Sequence, residues 1–152
     1  MESVTEGLVV HREIEIAASP ETVWELLSDP VKARAWWGQD VTLEPHPGGA
    51  VRIVVSPRSI MRGEVVEFDP PRRLVYTFGW ELGGAGPELV PPGSSTVEIE
   101  LVPSGSGTVL RLAHSGLSGE AQPSHGEGWS HYLGRLEVVA GGGDPGPDPW
   151  AA

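Results

Sequence analysis

Along this chain the hydrophobic positions switch between the period of a strand and that of a helix. Residues 8–17 alternate from Val10 onward, with Arg12, Ile14 and Ile16 on one side and His11, Glu13 and Glu15 on the other, the pattern of a half-buried strand. Ser19-Pro20-Glu21 then supplies a hydroxyl cap, a proline at the first helical position and an acid near the positive helix end. Val23, Trp24 and Leu27 share one face after it, which predicts a short helix. Asp29-Pro30 repeats the signal, with Val31, Ala35 and Trp36 as a second apolar stripe before Gly38. Two short helices in tandem are expected.

From there to Ser115 the chain is β-rich, at about 40–45, 50–55, 61–69, 72–81, 95–102 and 107–114, with Gly- and Pro-containing breaks between. This predicts an antiparallel meander. Leu74, Tyr76, Phe78 and Trp80 point one way and Arg73, Val75, Thr77 and Gly79 the other; Val97, Ile99 and Leu101 alternate with Glu98 and Glu100. One sheet face is therefore apolar and the other wet. Residues 82–94 are too rich in Gly and Pro for a regular element and read as a mobile hairpin loop at a pocket rim.

Residues 124–140 place Trp129, Tyr132, Leu133, Leu136 and Val139 at helical spacing, flanked by His131, Arg135 and Glu137, and so predict the longest helix of the chain. The Gly- and Pro-rich residues 141–152 cannot continue it and read as an extended tail, with a docking place for Trp150 left open. The expected organisation is one domain over 1–140 and a tail over 141–152.

A one-sided antiparallel sheet must cover its apolar face, and the C-terminal helix is the element long enough to do so. The predicted class is α+β with a helix-grip architecture: a curved antiparallel sheet of about six or seven strands wrapped around the last helix. The first strand and the short helices would hold the layers apart at one end, leaving an apolar cavity.

Several stretches carry a resemblance. Ile16-Ala17-Ala18-Ser19-Pro20-Glu21-Thr22-Val23-Trp24 runs into Trp36-Trp37, followed by Pro47-Gly48-Gly49, by residues 63–74 (GEVVEFDPPRRL), by residues 108–117 (TVLRLAHSGL) and by residues 128–133 (GWSHYL). Together, over about residues 8–140, these resemble the START-like (SRPBCC) superfamily, in the branch named for the C-terminal domain of the activator of heat-shock-protein-90 ATPase. That superfamily includes lipid-transfer proteins, hormone receptors and polyketide cyclases. The resemblance implies a cavity and no particular chemistry.

Composition narrows the partners. The 152 residues carry a net charge of −11 without a Lys/Arg cluster, which repels phosphate backbones and anionic headgroups, so nucleic acid is not expected. No apolar run reaches the roughly 18 residues of a membrane span, and Met1-Glu2-Ser3-Val4-Thr5-Glu6 lacks a signal-peptide profile. With no cysteine, disulfides and thiolate chemistry are absent, and a cytoplasmic protein is the expectation. Exposed tryptophans and sheet edges leave a homodimer open.

The candidate ligand-binding set is Trp36, Trp37, Tyr76, Phe78, Trp80, Leu112, His114, Trp129 and Leu133, because aromatic walls give stiff contact area and Tyr and Trp each keep one polar atom for orientation. Neighbouring positions do not share a helix face, so one of Trp36 and Trp37 is expected inside and the other at a rim. His114 points inward with Leu110 and Leu112, and reads as a satisfied core histidine. Were the protein an enzyme, His114 or Tyr76 would be the acid or base. His125 and His131 are six apart, off the spacing of two ligands on one helix face, so no metal is expected. Neither Gly48-Gly49 nor Gly83-Gly84 has the context of a phosphate loop, and no cofactor is expected. The primary expectation is binding of a small hydrophobic or aromatic molecule for sequestration, transport or sensing. A cyclase, dehydratase or hydrolase on a polyketide-like substrate, and a chaperone-interacting co-regulator, are the alternatives.

Overall fold

The computed structural model describes residues 9–151. Leu8, at the start of the first expected strand, and the segment Met1–Glu6 lie outside the described residues. The elements run β1 (Val10–Ile16), α1 (Pro20–Ser28), α2 (Pro30–Ala33), β2 (Asp40–Leu43), β3 (Ala50–Ser56), β4 (Ser59–Asp69), β5 (Arg73–Leu82), β6 (Ser95–Ser104), β7 (Gly107–Ser115) and α3 (Gln122–Ala140), ending in a 3-10 turn at Pro149–Ala151. The strands form one antiparallel sheet in the order β1-β7-β6-β5-β4-β3-β2. The first strand returns beside the last, from Val10 opposite His114 to Ile16 opposite Thr108. Register shifts between Ile60 and Met61 and between Val65 and Glu67 interrupt the β4–β5 ladder; such bulges bend a strand and increase its twist. The result is a curved sheet gripping α3, the helix-grip α+β fold.

The alternation read from the sequence holds on β6, where Val97, Ile99 and Leu101 are buried and Glu98 and Glu100 lie on the opposite face. That wet face carries charge pairs, Arg73 with Glu98 at 2.6 Å and Arg111 with Glu13 at 2.9 Å. Across the dry face α3 lays Trp129, Leu133 and Leu136, all buried. Gly126, Gly128 and Gly134 lie within this helix, each costing about 1 kcal/mol against alanine, while a fully buried leucine contributes roughly 1.5–3 kcal/mol. Packing on the sheet, rather than intrinsic propensity, therefore holds α3 together.

The caps fall where expected. Ser19 Oγ accepts from the Thr22 amide at 3.2 Å and Asp29 Oδ1 from the Val31 amide at 2.9 Å. The second apolar stripe does not: Val31 is 70 % exposed and Ala35 is exposed, while Ala33, Trp36 and Trp37 are buried. The helix lasts only four residues, and the turn that follows rotates the buried face onto 33, 36 and 37. The tandem tryptophans divide between core and cavity wall, Trp36 in the one and Trp37 in the other, but both are buried. Once the chain leaves the helix, neither ring needs an opposite face; they stack at 4.9 Å with 8° between planes.

Residues 82–94 do not stand free of the sheet. Val90 is 1 % exposed and its carbonyl accepts from the Trp80 amide at 2.7 Å, so the returning arm lies along β5. The Gly141–Pro147 stretch lacks regular structure and folds back so that Asp148 meets α3.

Candidate functional site

Between the inward faces of β3, β4 and β5 and the first half of α3 lies a cavity of about 220 Å³. The sheet contributes Ile53, Val55, Met61, Phe78 and Trp80; Trp37 closes one end; α3 contributes His125, Trp129 and Tyr132. Each position follows from local structure. Phe78 and Trp80 are two apart on β5 and so share a face, and residues 125, 129 and 132 lie one above another on a helix. The turn after α2 aims Trp37 inward.

The ring nitrogens of Trp80, His125 and Trp129 are all hydrogen-bonded within the protein. The Trp80 indole N–H donates to His125 Nε2 at 3.0 Å, and His125 Nδ1 donates to the Ala121 carbonyl at 2.6 Å. Behind Trp129 the same arrangement recurs: its indole N–H donates to His114 Nδ1 at 3.0 Å. Because the Ser95 hydroxyl donates to the Phe78 carbonyl at 2.8 Å, Ser95 Oγ is left to accept from His114 Nε2 at 2.9 Å. Both imidazoles are thus neutral, and in opposite tautomers. Burial drives the His114 pKa down from 6.5 to about 3, helped by the nearby His125 ring. Burial also lowers His125, against the bond to Ala121, which works to raise it. Phe78 fills the space between the two pairs, edge-on to His114 at 4.5 Å. The Tyr132 hydroxyl is likewise taken, donating to Asp148 Oδ2 at 2.7 Å.

The nine residues singled out from the sequence separate into two groups. Trp37, Phe78, Trp80 and Trp129 line the cavity; Trp36, Tyr76, Leu112, His114 and Leu133 do not. Trp36 is fixed in the core by its indole N–H bond to the Leu26 carbonyl at 2.8 Å. Leu112 and Leu133 are spent on packing between sheet and helix. His114 is wholly buried with both ring nitrogens engaged, the arrangement of a satisfied core histidine. Tyr76 is fully buried against Trp37, its hydroxyl without a partner among the described residues, and burial pushes its pKa well above the usual tyrosine value. Neither residue reaches the surface of the cavity.

Sequence reasoning passed over Ile53, Met61, His125, Tyr132 and Trp150 as wall residues. For His125 and Tyr132 the signal was present, since both share the helix face of Trp129. For Trp150 there was none. His125 and His131 engage different partners, Trp80 and Asp148, and among the described residues no group of three or more His, Asp or Glu side chains is placed to hold a metal ion. Nor is any described helix long and apolar enough to cross a membrane.

Known proteins place this architecture. The AHSA1-like protein of Rhizobium etli, solved by NMR, is 48% identical with a TM-score of 0.73, over 95% of this chain and 88% of that one. DynU16, a putative protein in the dynemicin biosynthetic locus, shares the fold at 24% identity and TM-score 0.77 over 91% of this chain, which spans 49% of it. The Aha1 dimer of Colwellia psychrerythraea shares it at 19% identity and TM-score 0.71, over 87% of this chain and 95% of that one. No curated protein sequence matches the chain. Residues 17–141 match the family described as Activator of Hsp90 ATPase homolog 1-like protein, and with the START-like architecture running through the same residues, the chain belongs to that family.

Proposed function

We propose that this protein binds a small, uncharged aromatic molecule in the cavity between sheet and α3, holding it without transforming it. The observation that carries this reading is the pairing of the wall's inner rings: the indole N–H groups of Trp80 and Trp129 are spent on His125 and His114, so the surface left to a ligand is mostly carbon and aromatic face, with Ser59, Ser124 and the Trp150 indole as the polar exceptions. Such a wall favours a molecule with few polar atoms, since most buried donors or acceptors it brought would lose water without gaining a partner. Size points the same way. An apolar cavity of about 150 Å³ accepts benzene, so about 220 Å³ suits a substituted single ring or a compact bicycle. The wall's titratable groups among the described residues, His125 and Tyr132, are both engaged in hydrogen bonds, which favours binding over the cyclase or hydrolase alternative.

The test uses 1-naphthol. At one hundred times its Kd a ligand stabilises by about 2.7 kcal/mol, which for a chain of this size raises Tm by roughly 5–10 °C. Ala85 lines the cavity, and Ala85→Phe fills it from the rim; the shift should vanish in that variant. The reading fails if neither naphthol nor a panel of neutral aromatics shifts the wild-type Tm, or if Ala85→Phe leaves the shift intact.

A further inference from the structure

The family match ends at residue 141, and the chain beyond it is fastened along its length to the elements that build the cavity. The Arg135 guanidinium donates to the Gly146 carbonyl at 2.9 Å. Asp148, its side chain only 11% exposed, accepts from Tyr132 Oη at 2.7 Å, from His131 Nε2 at 2.7 Å and from the Trp150 amide at 2.9 Å. Burial works to raise the pKa of this carboxyl, but those bonds outweigh it and hold the group below the usual range. Two residues on, the Trp150 indole stacks on the His131 ring at 4.0 Å and 18°. From the other side, the Gln39 side-chain amide donates to the Ala151 carbonyl at 3.2 Å.

The tail is therefore a strap from α3 to the segment leading into β2, and its tryptophan has two faces of use. Trp150 lines the cavity yet is 47 % exposed, the position of a residue standing between the interior and solvent. Tyr132 joins the two roles. Its ring is part of the cavity wall while its hydroxyl holds Asp148, so releasing the strap frees a wall residue.

We infer that residues 144–151 form a latch closing the cavity, with Trp150 a specificity-determining residue that contacts the bound molecule and Asp148 the positioning residue that holds it there. This rests on the cavity being a binding site. A ligand small enough to sit beneath the indole is retained, and its escape requires Asp148 to leave His131 and Tyr132. A longer ligand reaches the space of Trp150 and binds only with the latch open.

Two variants test this, and both leave the core of sheet and helix intact. In stopped-flow measurements with 1-naphthol, Asp148→Ala should raise the dissociation rate at least tenfold, and Trp150→Ala should weaken binding at least fivefold. A ligand-free readout runs alongside: hydrogen exchange of the Trp80 indole N–H by NMR should accelerate severalfold in Asp148→Ala. If naphthol binds the wild type and neither variant changes its kinetics, the latch is overturned and the binding reading stands. If naphthol does not bind and Asp148→Ala still accelerates exchange, closure by the strap stands and the binding reading fails. If exchange is unchanged as well, both fall.

Discussion

Taking an imidazole out of water without charging it requires that both ring nitrogens find partners, and His114 finds them in Trp129 and Ser95. The consequence is a pH dependence whose sign follows from linkage. The folded pKa of about 3 lies below the ordinary 6.5, so between these values the unfolded chain binds a proton that the folded one refuses. Stability is fully present above about pH 6.5 and declines as pH falls toward 3, by up to roughly 1.4 kcal/mol per pH unit for this group. His125, lowered by burial as well, adds to the decline. Urea unfolding at pH 7, 6 and 5 should show a falling free energy. The slope should be shallower in His114→Gln, whose amide keeps a donor and an acceptor without titrating. Equal slopes in the two proteins would remove His114 as the cause. That His114 faces inward was legible from the alternation of its strand. Its partners, 15 and 19 positions away, were not, because no short spacing encodes them.

At the scale of elements, the loop after β5 does more than connect strands. Gly84 sits at φ +59° with the Trp80 indole beneath it, so that a Cβ there would lie 2.2 Å from the ring. Only glycine permits both that backbone conformation and that approach. Gly84→Ala should therefore cost about 2–4 kcal/mol, from backbone strain of roughly 1–2 kcal/mol and from displacement of the indole. The loss of the Trp80 to His125 bond should appear as a shift of the Trp80 indole proton by NMR; an unchanged resonance with native Tm would refute this account. The same arm is pinned where Val90 is buried and where Pro91 passes within 2.1 Å of a Cβ placed on Gly79. The composition of 82–94 marked it as irregular, which it is. Composition carries no information on whether an irregular segment finds a surface to lie on, and here β5 offers one.

At the scale of the whole molecule, the buried hydrophobic residues among those described all lie between Val10 and Leu136, whereas the tail adds hydrogen bonds and one ring stack. Truncation after Gly142 should leave unfolding cooperative and cost about 1–2 kcal/mol, the small surplus of a few charge-assisted hydrogen bonds over the entropy of ordering the tail. For this length that is a fall in Tm of roughly 2–8 °C, read by thermal denaturation; loss of the cooperative transition would mean that the tail belongs to the core. The element order, the one-sided sheet, the long final helix and the caps at Ser19 and Asp29 were determined by the sequence alone. Strand and helix periods are properties of the backbone, and a run of side chains either matches them or does not. Which aromatics face a cavity and which are buried behind it was decided only by tertiary structure. Trp36 and Trp37 are adjacent in the chain, yet one donates to Leu26 and the other lines the cavity. Trp150, in a segment without periodicity, reaches the same wall from the far end of the chain. Such placements depend on which distant groups satisfy each buried polar atom and fill each gap, and that is settled when the layers close, not along the sequence.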